Sequence, residues 1–219
     1  MKDLLNPEGV LFQFLSRVGD MIILNVLFLI CCVPIVTIGA AQAALYKVTM
    51  DMHYDMEGGM FKGFFKAFRE NFKQATVVWI VELIVLVSLV CDAMLVLAYF
   101  PGSKVMYVLL GILAALVVSV TAYMIPLLVR YRNTLRQHLG NATILAVIKL
   151  PKTLVMVFLN SAPFLILMYS LWTASHIFIE TLVFWLAIGF SFVAYINMAM
   201  MKKVYAQLEG GKNKVSLFT

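Results

Sequence analysis

Three carboxylates interrupt the apolar stretches of this sequence: Glu82, Asp92 and Glu180. A charged side chain at mid-bilayer costs about 2.5–3.5 kcal/mol on insertion scales, so it needs a partner or a watery cavity. Glu82 stands about seven residues into its apolar run. The functional chemistry open to it is a proton or cation site. The structural alternative is an ion pair with Arg130 or Lys149, near the same membrane face. Asp92 and Glu180 are shallower and can reach headgroups. Asn160, Asn197 and Gln42 are amides in or beside apolar runs, which could tie helices together by hydrogen bonds. Glu82, Asp92, Glu180 and Asn160 therefore make up the candidate intramembrane polar site.

His176 and Glu180 stand at i, i+4 on one helical face, a spacing that could begin a metal site. No second pair accompanies them, and His53 and His138 belong to the opposite membrane side, so no metal is expected. There is no P-loop, nucleophile elbow or Cys/His cluster. Neither catalytic residues nor a cofactor are expected, and the protein is not read as an enzyme. Cys31, Cys32 and Cys91 all fall in apolar runs and read as small buried hydrophobes.

The elements that must hold these residues are membrane helices. The chain has 219 residues, 63% hydrophobic and 13% charged, with mean hydropathy +0.96. Soluble domains are about half apolar and about a quarter charged. Apolar runs long enough to cross a bilayer recur, and no polar interval is long enough for a core of its own. The expected fold class is all-α: a polytopic transmembrane bundle in one membrane domain, 1–219. Spans are expected at about 8–33, 75–99, 105–129, 153–172 and 177–201, with a cytosolic tail at 202–219. The stretch "RYRNTLRQHLGN" should continue the third of these into water, and 142–150 should form a short helix ended before Pro151. The net charge of +6 and pI of about 9.2 sit in short loops. They indicate anionic headgroups as partner, not nucleic acid.

Residues 60–73 carry the clearest pattern. Phe61, Phe64, Phe65, Phe68 and Phe72 recur at i, i+3, i+4, i+7 and i+11, and Lys62, Lys66, Arg69 and Lys73 flank them. This predicts a basic amphipathic helix in the interface, hinged at Gly58-Gly59, with rings in lipid and cations among headgroups. The same face could dock a cytosolic partner.

The stretch "CCVPIVTIGAAQAALY", Cys31 to Tyr46, decides the topology. Pro34 must end or kink the first helix. If the chain then turned back, 16 of the 17 Lys and Arg residues would be cytosolic, with both termini inside. A single span through the stretch would leave 14 inside. The positive-inside rule prefers the turn. Ala41-Gln42-Ala43 also satisfies a signal-cleavage rule, but the preceding acids and Pro34 argue against cleavage. The returning helix, 37–52, would have Thr37 as N-cap and a small-residue surface at Gly39, Ala40, Ala41, Ala43 and Ala44 for close packing. Its apolar part spans only about 18 Å, so whether it crosses or is re-entrant stays open.

"NVLFLICCVPIVTIGAAQAALY" (Asn25 to Tyr46) and "FFKAFRENFKQAT" (Phe64 to Thr76), together with the order of spans, resemble the YesL family of bacterial membrane proteins, a family of unknown function. Ala40 departs from it, where proline is expected after the glycine. The resemblance implies a multi-pass protein of the bacterial cytoplasmic membrane. Such genes often lie beside carbohydrate ABC-transporter and sensor-kinase genes, an association that implies an accessory role in sugar uptake. It carries over no catalytic or substrate residues. Two functions are therefore expected: a non-enzymatic accessory that meets ABC-transporter components, or a small transporter or channel, as monomer or homo-oligomer, with Glu82 in its path.

Overall fold

The computed structural model describes residues 10–56, 59–173 and 177–210. The expected helix start near Glu8, Gly58 of the hinge, His176 of the metal pair and the tail beyond Gly210 lie outside these residues. The described chain is helical throughout: α1 (Val10–Cys32), a 3-10 turn (Ile35–Thr37), α2 (Ile38–His53), α3 (Met60–Tyr99), α4 (Lys104–Arg130), α5 (Leu135–Ile148), α6 (Leu150–Thr173), α7 (Ile177–Phe184), a π-helical segment (Trp185–Gly189) and α8 (Phe190–Gly210). Among the described residues five helices are long and apolar enough to cross a membrane: α1, α3, α4, α6 and the continuous α7–α8. The protein is an all-α polytopic membrane bundle, as its composition requires.

The chain does turn back after Pro34. Arg17, near the start of α1, donates to the Met52 carbonyl at 2.7 Å and to Asp55 Oδ1 at 2.7 Å, just past the end of α2. Thr37 has a different role from the expected one. Its side chain does not cap α2; its hydroxyl donates to the carbonyls of Cys31 and Pro34, at 2.6 and 2.7 Å. Those carbonyls are left over where α1 stops, so Thr37 closes the first helix. Trp79 Nε1 adds a bond to the Ile35 carbonyl at 2.8 Å, which fastens the turn to α3.

The small-residue surface of α2 packs as expected. Gly39, Ala40, Ala41, Ala43 and Ala44 are buried, and Gly39 lies against the backbone of Ala75 and the Trp79 side chain. A Cβ there would overlap α3, so glycine is what permits the approach. Phe64, Tyr123, Met156, Met198 and Tyr205 complete a core centred on α2.

Several boundaries differ from the sequence reading. Residues 60–73 and 75–99 form one unbroken helix of 40 residues. No proline or glycine separates them, so nothing interrupts the hydrogen-bond ladder. At 1.5 Å per residue α3 is about 60 Å long, twice a hydrocarbon core of about 30 Å. Its Phe-rich half is therefore the first part of one long helix and not a separate element. "RYRNTLRQHLGN" does not prolong α4. That helix stops at Arg130, Tyr131 is extended, and a capping box of Thr134 and Gln137 starts α5. The box satisfies orphan N–H groups reciprocally and makes a new start favourable. α5 consequently begins earlier than the expected 142–150. α6 begins at Leu150 with Pro151 in its first turn, where proline is tolerated. The last helix runs on to Gly210, past the expected end at Met201.

Candidate functional site

Among the described residues, two places where polar side chains gather bear on a candidate site. The first lies within the bundle. Asn197 Nδ2 donates to Tyr46 Oη at 2.8 Å and to Asn160 Oδ1 at 3.0 Å. This joins α2, α6 and α8. Asn197 and Tyr46 are buried. Glu82 accepts a bond from Thr121 Oγ1 at 2.9 Å, joining α3 to α4, and acts electrostatically on the Tyr46 phenol. The expected structural partners of Glu82 are engaged elsewhere. Arg130 pairs with Glu209 at 2.9 Å, and Lys149 donates to Gln207 at 2.7 Å. The Glu82 partner is a hydroxyl, so the carboxylate is tied by a hydrogen bond and not by charge.

Of the four candidates, Glu82 and Asn160 therefore fall in one polar region. Asp92 and Glu180 are exposed and outside it. Gln42, half-buried on α2, takes no part in the region. Among the described residues, no group of three or more His, Cys, Asp or Glu side chains could hold a metal.

Asn25 is a residue the sequence reading passed over. Fully buried on α1, its Nδ2 donates to the carbonyls of Trp185 and Leu186 at 3.0 and 2.8 Å, and its Oδ1 accepts from the Ser191 N–H at 3.1 Å. These are the backbone groups that a π-helical segment releases when it widens the ladder. Ser191 Oγ donates to Met21 O at 2.8 Å from the same place. Gly189 lets the Trp185 ring fold over the segment, since a Cβ there would overlap the ring. The signal in the sequence was a lone amide in an apolar run, read without the partner helix 160 residues away.

The second place is one end of the molecule, where α1 begins and α2, α4 and α8 end. Arg130 lies over the rings of Tyr54 and Tyr205, at 5.1 and 5.5 Å, and Lys202 Nζ lies 5.1 Å from the Tyr54 ring centre. Such cation–π contacts contribute about 0.5–1 kcal/mol each where exposed. Lys202 also donates to the His53 carbonyl at 2.7 Å, and the His53 ring stacks on Tyr195 at 4.0 Å. Tyr131 donates to Glu209 at 3.2 Å, and burial followed by the Glu209 charge pushes its phenol up to about 12. Beside it is a small cavity of about 120 Å³, lined by Leu127, Tyr131, Arg132, Asn133, His138 and Asn141. His138 is 1% exposed. Both ring nitrogens are closed off from solvent, and among the described residues neither makes a hydrogen bond of good geometry. Burial pushes its pKa down, against the smaller upward effect of a weak hydrogen bond to the Tyr131 backbone.

The Phe-rich half of α3 leaves this end. Its rings do not share one fate. Phe64 is fully buried against the core and Phe68 partly so, while Phe61, Phe65 and Phe72 are exposed. Lys62, Lys66, Arg69 and Lys73 are exposed alongside. A shallow groove is lined by Lys62, Phe65, Lys66, Arg69 and Glu70. The stripe of five rings is wider than the contact with α2, so two rings pack and three stay exposed.

No curated protein and no solved structure matches the chain. Residues 21–93, which take in the second half of α1, the turn, α2 and most of α3, match the family described as "Protein of unknown function, DUF624", and over that segment the chain bears out its resemblance to the YesL family.

Proposed function

We propose that this membrane protein is a non-enzymatic accessory of a carbohydrate transport system, placed in the bacterial cytoplasmic membrane with both termini cytosolic. It acts through the surface at its basic end. The observation that carries the reading is the first half of α3. One face is locked onto α2 through Phe64 and Ala67, and the other offers Phe61, Phe65 and Phe72 among four cations. Exposed rings beside cations on a rigid rod suit an acidic, partly apolar protein surface, because aromatic residues and Arg dominate such contacts. ABC-transporter components as partners, and the carbohydrate, are supported by the family resemblance alone. Affinity capture from native membranes should recover a transporter permease or ATPase. The triple variant Phe61→Ala, Phe65→Ala, Phe72→Ala should lose it while still folding, since none of the three rings is in the core. Capture that is indifferent to those rings would count against the surface.

A rival reading is a small transporter or channel, favoured by one observation: Glu82 and Thr121 lie in the same polar region as Tyr46, Asn160 and Asn197. It predicts uptake by the purified protein in liposomes, abolished by Glu82→Gln. The accessory reading predicts no uptake by either form.

A further inference from the structure

Three lysines crowd together where α5, α6 and α8 meet, and neither function above uses them. Lys149 stands at the C-terminal end of α5 and Lys152 in the first turn of α6. Lys203 lies on α8, which packs against α6. Lys149 Nζ donates to Gln207 Oε1 at 2.7 Å, and Gln207 is one turn beyond Lys203 on the same face of α8. Lys152 lies in the field of both other lysines. Among the described residues none of the three makes an ion pair. Glu209, the one acid of α8, is held by Arg130 and Tyr131. Like charges this close repel. Lys149 and Lys152 are also half-buried, so they do not spread into water as surface lysines do.

The neighbours of the lysines are apolar. Val147 and Ile148 end α5, and Leu150, Leu154 and Phe158 recur at i, i+4 and i+8 on α6; all five are more than half exposed. α6 is long and apolar enough to cross a membrane, so this stripe faces hydrocarbon. The lysines stand at its head, at the depth where headgroups lie. Basic pockets between membrane helices at that depth suit phospholipid headgroups.

We propose that Lys149, Lys152 and Lys203 hold the headgroup of a diphosphate phospholipid of the cardiolipin class, with its acyl chains along Leu150, Leu154 and Phe158. Charge sets the choice. One phosphodiester leaves two of the three cations unopposed, whereas two phosphates joined by one glycerol offset most of the cluster. A free phosphate ion would gain nothing from the apolar stripe. A second copy of this chain, meeting the same patch, would bring three more cations to it. The site is separate from the α3 surface, and it stands whether or not the transport reading does.

The test uses the full chain in a neutral detergent, titrated with cardiolipin and read by native mass spectrometry and by Tm. One cardiolipin should be retained. At a hundred times its Kd the lipid should raise Tm by about 5 °C or more. Phosphatidylglycerol at equal phosphate concentration should give a clearly smaller shift. The pair Lys152→Gln and Lys203→Gln should weaken cardiolipin binding by about tenfold or more. The pair Arg132→Gln and Arg136→Gln removes the same charge from exposed positions about 20 Å away along α5, and should bind as the wild type does. Lys203→Gln alone, at an exposed position, keeps the test valid if the lysine pair disturbs folding, and it too should weaken binding. The proposal is overturned if no cardiolipin is retained, or if phosphatidylglycerol shifts Tm as far. It is also overturned if Lys203→Gln leaves binding unchanged, or if the arginine pair weakens binding as much as the lysine pair, as net charge alone would.

Discussion

Single side chains do more for this bundle than their number suggests. Asn25 alone satisfies two carbonyls and one N–H of the last membrane helix. Lipid offers those groups no substitute. Asn25→Leu should therefore lower stability by about 1–3 kcal/mol, read as a fall in Tm of the detergent-solubilised protein. An unchanged Tm would mean that the π segment relaxes to a regular helix at no cost. His138 gives a prediction in pH. Its folded pKa is depressed below 6.5, so the unfolded chain binds the proton more readily. Stability is complete above pH 6.5 and is lost as pH falls below it. In phosphate-free buffer, Tm should drop more steeply from pH 7.5 to 5.5 in the wild type than in His138→Gln. Parallel slopes would assign the loss to other groups. Neither role was visible in the sequence: the partners of Asn25 lie on the last membrane helix, and the His138 cavity forms only where the start of α5 meets the ends of α4 and α8.

At the scale of elements, the α1–α2 hairpin is the part whose reach is decided by packing. Its turn is level with Trp79, through the bond from Nε1 to the Ile35 carbonyl. α3 continues from there to Tyr99, about 30 Å further. None of the most apolar window of α3 is buried in the protein, as a lipid-facing helix requires. Val33, Ile35 and Val36 of the turn are exposed and apolar too. α1 is long enough to cross, yet the turn is expected to rest inside the apolar layer and not at the far surface. In a background with Cys31, Cys32 and Cys91 replaced by alanine, Val36→Cys should resist a membrane-impermeant maleimide from both sides. Ser103→Cys, in the turn after α3, should react from the far side. Reaction of both from the same side would show that α2 crosses fully. The break at Pro34 and the small-residue face were legible, because proline and small residues act locally. The fusion of 60–73 with 75–99 was obscured by a change of surface chemistry, from charged to lipid-facing, that leaves the backbone ladder untouched.

For the whole molecule, the ion pairs and cation–π contacts bring the start of α1 and the ends of α2, α4 and α8 to one end. Reporter fusions ahead of Val10 and after Gly210 should accordingly report the same compartment. The distribution of Lys and Arg predicts that it is the cytosol. Opposite compartments would be incompatible with the Arg17–Asp55 and Arg130–Glu209 pairs.

Run lengths determined by themselves that the chain is a membrane bundle, and proline, small residues and the placing of positive charge favoured a return after Pro34. They could do so because hydrocarbon imposes length and backbone satisfaction on each segment separately. Tertiary structure alone decided which polar side chains meet. Glu82 finds a hydroxyl instead of a cation, Asn25 finds a π segment, and His138 borders a cavity. Those outcomes depend on crossing points between helices far apart in the chain, which no local pattern records.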